Sequence, residues 1–145
     1  MTRSLYEQDF LRWAEETAAK LKGRDFEHLD LENLIAEIES LGRSEKRELR
    51  SRLTVLLEHL LKRMYVDSGA DYHGWETTIR EQRRQLKLNL EDSPSLKALW
   101  ENSFERAWQL AIADLRQEYP QTVFPDRWPH TTAMEAILNG NFWVE

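Results

Sequence analysis

Five side chains carry functional groups that could bind or react with a ligand, and they form a candidate ligand or partner site. They are a carboxylate, an imidazole, an indole and two guanidinium groups, and the residues are Glu37, His59, Trp75, Arg80 and Arg83. A neutral imidazole can act as a general base, and a guanidinium fork binds phosphate or carboxylate groups through paired hydrogen bonds. This combination is compatible with a pocket lined by the imidazole, indole and guanidinium groups, with Glu37 opposite.

The imidazole of this set lies in TVLLEHLLKR (Thr54–Arg63), the most apolar run of the chain. At 100° per residue, a helix places His59 roughly 140° from the centre of the main leucine face, close to Arg63. A histidine so placed is more typical of a packed residue, hydrogen-bonded to a backbone carbonyl or to a carboxylate of a neighbouring helix. If His59 belongs to a site, adjacent arginines lower its pKa and keep it neutral, which suits a general base.

Metal and cofactor chemistry are not predicted. Glutamates and histidines could combine as metal ligands, but their spacing matches neither the Glu-x-x-His pairs of di-iron bundles nor His-Glu-x-x-His. The residues considered are Glu32, Glu37, Glu39, His28, His59 and His73. The sequence also contains no cysteine, no glycine-rich phosphate loop and no Gly-x-Ser-x-Gly motif. These observations favour a protein that is not an enzyme.

Charge is unevenly distributed along the chain. The formal net charge is −6, but residues 43–87 hold 11 Lys/Arg against 7 Asp/Glu, a local net charge of +4. Glutamates interleaved in this basic segment favour salt bridges and solvated faces. The alternative is an exposed basic groove for an acidic partner or for a nucleic-acid backbone.

Apolar residues recur at intervals of three and four along most of the chain, which is typical of amphipathic helices. We therefore predict an all-α fold, a single helical domain over residues 1–145 with about five main helices, a short C-terminal helix and a proline-rich tail. The predicted helices cover about residues 5–22, 31–42, 44–66, 75–90 and 94–119, with the short one near 132–138. One helix over residues 31–66 with a soft point at Gly42 is the alternative to the second and third, and two helices are slightly favoured.

Capping residues support several of these boundaries. Ser4 with Glu7 forms a capping box, Ser44 can begin the third helix, and Ser93 before Pro94 can begin the fifth. The predicted core consists of leucines and most of the six tryptophans. The apolar face of the second helix is assigned to Leu31, Leu34, Ile35, Ile38 and Leu41.

The sequence gives no indication of a membrane location. It has no run of about 20 apolar residues that could span a bilayer, and its first residues lack the apolar core of a signal peptide. The cytoplasm is the default location.

Several stretches taken together carry a family resemblance. They are the opening Tyr6, Asp9 and Trp13, the segments DLENLIAEIESLG (Asp30–Gly42), HLLK (His59–Lys62), WETTIREQR (Trp75–Arg83) and SPSL (Ser93–Leu96), and the proline-bounded end. Over nearly the whole chain these resemble an uncharacterised bacterial family, domain of unknown function twenty-nine. The chain departs from the family pattern at Ala36, where an acidic residue is expected, and at Trp128, where the family often has a cysteine. The resemblance implies a compact all-helical bacterial protein and no established activity.

Three hypotheses of function follow. The first is a non-enzymatic helical interaction module that binds a protein partner or forms a homo-oligomer, because apolar and charged helix faces can do this without a catalytic motif. The second is a small-ligand-binding protein or enzyme with a pocket near His59, Trp75 and Arg83. The third is a nucleic-acid binder that uses the basic segment 43–87.

Overall fold

The computed structural model describes residues 3–143, which form six α-helices and no strand within that range. The all-α prediction is therefore confirmed. The helices are α1 (Leu5–Gln8), α2 (Phe10–Lys22), α3 (Leu31–Tyr65), α4 (Tyr72–Asp92), α5 (Trp100–Glu118) and α6 (Met134–Asn139). The chain divides into two compact units at residues 44 and 45. A single domain over residues 1–145 stays a prediction.

The first unit begins with two helices where the sequence predicted one. Ser4 caps α1 by accepting a hydrogen bond from the Glu7 backbone N–H, as expected from the capping box. Asp9 then leaves helical geometry, with φ −150° and ψ 88°. Its carboxylate accepts a hydrogen bond from the Arg12 N–H at 3.1 Å. The single helix over residues 5–22 was wrong because Asp9 starts a second helix with its own side-chain cap.

One side-chain hydrogen bond joins α2 to Asp30, the residue before α3, and another joins α1 to α3. The Trp13 indole N–H donates to Asp30 at 3.3 Å, and the Tyr6 hydroxyl donates to Glu37. Tyr6 contacts the later residue Glu37 and Trp13 contacts the earlier residue Asp30, so the two segments form an antiparallel hairpin. Trp13 and Thr17 are buried in this unit.

The helix α3 continues without interruption through Gly42. The slightly favoured division into helices 31–42 and 44–66 was therefore wrong, and the single-helix alternative is correct. A glycine inside a helix costs about 1 kcal/mol relative to alanine. This cost is too small to end a helix when strong helix formers such as Glu39, Leu41 and Lys46 surround the glycine.

The second unit contains the main hydrophobic core. Six leucines of α3 are buried, and α4 and α5 contribute one face each. Four of the six tryptophans are buried in the chain, namely Trp13, Trp100, Trp108 and Trp128. The prediction of a leucine- and tryptophan-rich core is confirmed.

The start of the fifth predicted helix differs from the expectation. Residues Pro94–Leu99 form a 3₁₀ helix, and α5 starts only at Trp100. Ser93 does not cap this segment with its side chain. Its hydroxyl instead donates to the Glu45 carboxylate of α3 at 2.8 Å, so a long-range partner replaces the local capping contact.

The C-terminal segment packs onto α4 through α6 and aromatic side chains. Phe124 and Trp128 are buried between the prolines, as the sequence predicted. The Trp128 ring lies edge-on to the rings of Phe104, Trp108 and Phe142, with centroid distances of 5.2–6.5 Å. The proline-rich tail is therefore part of the folded second unit.

Candidate functional site

Glu37 belongs to the first unit, whereas His59, Trp75, Arg80 and Arg83 belong to the second. The Glu37 carboxylate accepts the hydrogen bond from the Tyr6 hydroxyl. This contact raises the pKa of the Tyr6 phenol because the carboxylate favours the protonated form. Within the first unit, Glu37 therefore has a structural role in joining α1 to α3.

His59 is half-buried on α3, and its Nδ1 atom lies 2.8 Å from the Val55 carbonyl of the same helix. This geometry requires Nδ1 to carry the proton and leaves Nε2 as the acceptor in the neutral ring. The pKa of His59 is lowered, chiefly by burial and in part by the Lys62 charge. The predicted backbone hydrogen bond is confirmed. The predicted cause of the pKa shift was wrong, because burial rather than adjacent arginine dominates.

Arg83 fastens the C-terminal segment to α4. Its Nε donates to the Ile137 carbonyl at 3.0 Å, and one terminal nitrogen donates to the Gly140 carbonyl at 2.5 Å. Burial lowers the pKa of Arg83. Two of its donor atoms are thus engaged within the chain.

Trp75 and Arg80 lie on the same helix as Arg83 but in different surroundings. Trp75 is partly buried and packs against the core, with its ring 5.9 Å from that of Tyr72. Arg80 is exposed and donates to the Thr77 hydroxyl at 3.4 Å. Arg80 and Arg83 line a shallow depression of about 330 Å³. The joint ligand site of Glu37, His59, Trp75, Arg80 and Arg83 stays a prediction.

A pair of carboxylates from different helices was not anticipated from the sequence. Glu58 on α3 is half-buried and interacts with Asp114 on α5. Burial raises the pKa of Glu58 to about 7, and the hydrogen bond with Asp114 and its negative charge act in the same direction. Lys62 opposes this shift, and its Nζ lies 3.6 Å from Glu118. No short-range spacing in the sequence indicates a contact between α3 and α5.

A second unanticipated feature is a cavity of about 340 Å³ beside the end of α3. It is lined by Arg63, Met64, Tyr65, Tyr72, Phe142 and Trp143. The Arg63 side chain is 10% exposed, and its guanidinium lies over the Tyr72 ring at 3.9 Å. Arg63 Nε is 3.8 Å from the Glu76 carboxylate, which is too long for a hydrogen bond. Arg63 Nε and Trp143 Nε1 are buried donors without a hydrogen-bond partner among residues 3–143.

Several arginines of the basic segment lie next to carboxylates. Arg52 is 2.9 Å from Glu48 and Arg84 is 2.7 Å from Glu81, each within one helix. Arg43 is 3.9 Å from Glu39 in the first unit. These pairs reduce the positive potential of residues 43–87 at those positions. Nucleic-acid binding by the segment stays a prediction.

Neither a cluster of metal ligands nor a membrane-spanning helix occurs among the described residues. Residues 3–143 contain no cluster of three or more His, Asp or Glu side chains arranged to bind a metal ion. None of the helices in this range has the length and apolar character needed to cross a membrane.

The most unusual surface of the first unit is apolar. Leu11 of α2 is exposed on another side, and six large hydrophobic side chains that share one side of α2 and the start of α3 are 42–67% exposed. We call them the hairpin face, and they are Phe10, Leu21, Leu31, Ile35, Ile38 and Leu41. Of the five residues assigned to the apolar face of the second predicted helix, only Leu34 is half-buried, because the contacts of Asp30 and Glu37 with Trp13 and Tyr6 lie on a different side of the helix.

Helical periodicity places the hairpin face on one side of the hairpin. Trp13 and Thr17 are the buried residues of α2, and Trp13 contacts Asp30. Glu37 follows Asp30 by seven residues, so it lies on the same side of α3, where it contacts Tyr6 of α1. On a helical projection, Phe10 and Leu21 are rotated away from Trp13 and Thr17 about the axis of α2. The exposed residues of α3 are rotated away from Glu37 in the same direction about the axis of α3. In two antiparallel helices, rotation in the same direction leads to the same side. The exposed residues therefore form one surface rather than scattered positions.

One known protein family matches nearly the whole chain. The sequence model described as Domain of unknown function DUF29 matches residues 5–143. The chain belongs to this family. No curated protein and no solved structure matches it significantly.

The two positions at which this DUF29 member departs from the pattern expected for its family have contrasting surroundings. Ala36 is exposed on α3. Trp128 is buried, and its indole N–H donates to the Thr131 carbonyl at 3.1 Å. In this DUF29 member, a packed aromatic ring therefore occupies the position where the resemblance suggested a cysteine.

Proposed function

We propose that this DUF29 member is a non-enzymatic helical interaction module that binds protein through the hairpin face. The observation that supports this function is the exposure of six large hydrophobic side chains on one side of a two-helix hairpin. Together they leave roughly 600 Å² of surface in water, which is at the upper end of the largest patches on monomeric proteins. Surfaces of this size commonly mark protein interaction sites. On the sequence grounds given above, we also propose a bacterial cytoplasmic location.

The hairpin face also has the residue types that helix-mediated recognition uses. Leu31, Ile35 and Ile38 are spaced by four and three residues on α3. This is the spacing at which one amphipathic helix packs against another. Charged side chains lie beside the stripe rather than within it, as is usual for the rim of an interface.

A gentle purification of the tagged protein from its native cells tests this proposal. Wild type, Ile38→Glu and Val123→Glu would be compared by mass spectrometry of whatever elutes with each. Val123 is 87% exposed in the second unit, so its variant adds the same charge outside the hairpin face. We expect stoichiometric association in the wild type and Val123→Glu samples and its loss in Ile38→Glu. Equal recovery by all three proteins would refute the proposal.

The Arg63 cavity supports a second candidate function, the binding of a small anionic ligand. Its two buried donors, Arg63 Nε and Trp143 Nε1, belong to side chains that line the same space. A buried donor without an acceptor costs about 1–3 kcal/mol. A carboxylate or phosphate group in the cavity would supply acceptors, and the ring of Tyr72 would offer an apolar wall.

Thermal shift measurements with inorganic phosphate and with benzoate test this candidate. We expect one probe to raise the melting temperature of the wild type and to have a smaller effect on Arg63→Met. Arg106→Met provides a matched control on α5, where Arg106 is exposed. Absence of a shift with both probes at millimolar concentration would refute it.

A further inference from the structure

We propose that the partner of the hairpin face is a second copy of this chain, with the two α3 stripes paired antiparallel. This inference rests on the proposed function and names its occupant. The geometry of Gly42, the order of charges along α3 and the area of the face support it.

Gly42 provides a depression within the apolar stripe. On a helical projection it lies at the same side of α3 as Leu31, Ile35 and Ile38. A Cβ atom added to Gly42 would meet no atom within 4 Å, so nothing in the chain itself requires a glycine here. The missing side chain leaves room for a second helix to approach closely at the end of the stripe.

An antiparallel pair uses this room. In this register, Ile35 of one copy lies opposite Ile38 of the other. Leu31 precedes Ile35 by four residues and Gly42 follows Ile38 by four residues, so Leu31 of each copy faces Gly42 of its partner. A large side chain then fills the space above a glycine at both ends of the stripe. A parallel pair would place Gly42 against Gly42 and Leu31 against Leu31, leaving a gap at one end. The face is therefore self-complementary about a two-fold axis, as a symmetric dimer requires.

The charges beside the stripe favour the same orientation. Glu32 and Glu39 lie along one edge of the stripe, and Arg43 follows at its C-terminal end. Antiparallel pairing brings Glu32 of one copy close to Arg43 of the other. Parallel pairing places the two charged edges on opposite sides of the pair, so Glu32 of one copy would not meet Arg43 of the other. The Arg43–Glu39 pair is long at 3.9 Å and exposed, so Arg43 can reorient towards a partner.

The area of the face is sufficient for a stable dimer. Phe10 and Leu21 of α2 extend the α3 stripe on the same side of the hairpin. Complete burial of both faces would remove at most about 1,200 Å² from water, which is the lower limit for specific, stable interfaces. The packed pair would have four helices in contact, two from each copy.

Sedimentation equilibrium measures the predicted association. We expect wild type and Val123→Glu to have twice the 17.3 kDa mass of the chain and Ile38→Glu to have the mass of one chain. Gly42→Leu is the more specific variant, because leucine is a better helix former than glycine and its Cβ would meet no atom of its own chain within 4 Å. We expect Gly42→Leu to keep its helical circular dichroism and to sediment as a monomer.

Cross-linking determines the orientation, and the cysteine-free sequence permits it without background. Glu32→Cys and Arg43→Cys chains would be treated with a short bis-maleimide, separately and mixed. Antiparallel pairing predicts covalent dimers mainly in the mixture. Covalent dimers mainly in the separate samples would overturn the antiparallel arrangement.

The outcomes also separate this inference from the proposed function. A stable dimer should form at micromolar concentration, so a wild type protein that is monomeric at about 100 μM would exclude the second copy. In that case, a different protein that co-purifies with the wild type but not with Ile38→Glu would still support the interaction module. If Ile38→Glu retained every companion of the wild type as well, the interaction module itself would fail. A dimer that Gly42→Leu does not disrupt would likewise overturn the proposed contact.

Discussion

Replacing Glu58 by glutamine should make the folding stability of this protein less dependent on pH. The pKa of the Glu58 carboxyl is raised from 4.5 to about 7 in the folded chain, chiefly by burial and also by Asp114. Between these two values the folded state binds more protons than the unfolded state. The stabilisation from protonated Glu58 is therefore fully present below about pH 4.5 and is lost as the pH rises through 7.

The size of the effect follows from the pKa difference. A shift of this size corresponds to at most about 3 kcal/mol at 1.4 kcal/mol per unit. Glu58 is only half-buried, and solvent screens its interactions, so we expect about 1 kcal/mol. Between pH 5 and pH 8, the free energy of unfolding should fall by this amount because of Glu58. Glutamine cannot ionise and can still donate to Asp114, so Glu58→Gln should be about 1 kcal/mol more stable than the wild type at pH 8.

Urea unfolding at pH 5, 6, 7 and 8, followed by tryptophan fluorescence, measures this difference. Glu91→Gln is the control, because Glu91 is an exposed carboxylate on α4. The free energy of unfolding of Glu91→Gln should change with pH as that of the wild type does, apart from a constant difference. If Glu58→Gln retained the full pH dependence of the wild type, the assignment of a protonated Glu58 to the folded state would be wrong.

Three further predictions concern stability in the same urea assay at pH 7. Arg83→Met should cost about 2 kcal/mol, because it removes two charged hydrogen bonds to backbone carbonyls; an unchanged midpoint would contradict the fastening role of Arg83. Gly140→Ala should destabilise by about 1–3 kcal/mol, since its Cβ would lie 2.5 Å from the Ala136 carbonyl oxygen; a neutral effect would show that the backbone relaxes there. Leu57→Ala should cost about 2–5 kcal/mol because Leu57 is fully buried, whereas Leu41→Ala, at a 67% exposed position, should change the stability of the monomer by less than about 0.5 kcal/mol. Similar losses in both would contradict the exposure of the hairpin face.

The helices and most of the core could be predicted because they depend on local periodicity. The apolar pattern from Leu96 to Leu115, which covers the 3₁₀ helix and α5, correctly identified a buried face. The same pattern from Leu31 to Leu41 was misleading, because periodicity shows that a helix has an apolar face but does not show which surface covers it. Asp9 was missed as a helix start because its neighbours on both sides also favour helix.

The contacts of the candidate site were harder to predict. His59 bonds to the Val55 carbonyl only four residues away, and the sequence predicted a hydrogen bond of this type, to a backbone carbonyl or a carboxylate. The Arg83 contacts with Ile137 and Gly140 and the interaction of Glu58 with Asp114 join distant parts of the sequence. Such pairs depend on how helices pack, and no spacing rule within one helix describes them.

The hydrogen bond between Trp13 and Asp30 has a spectroscopic consequence. Trp13 is the only tryptophan in the first 44 residues, and the other five follow residue 74. Its indole N–H contacts a carboxylate whose pKa is lowered, chiefly by a hydrogen bond from Asn33. The difference in emission between wild type and Trp13→Phe therefore isolates the hairpin, and its denaturation curve reports whether the hairpin melts together with the leucine-rich core or before it.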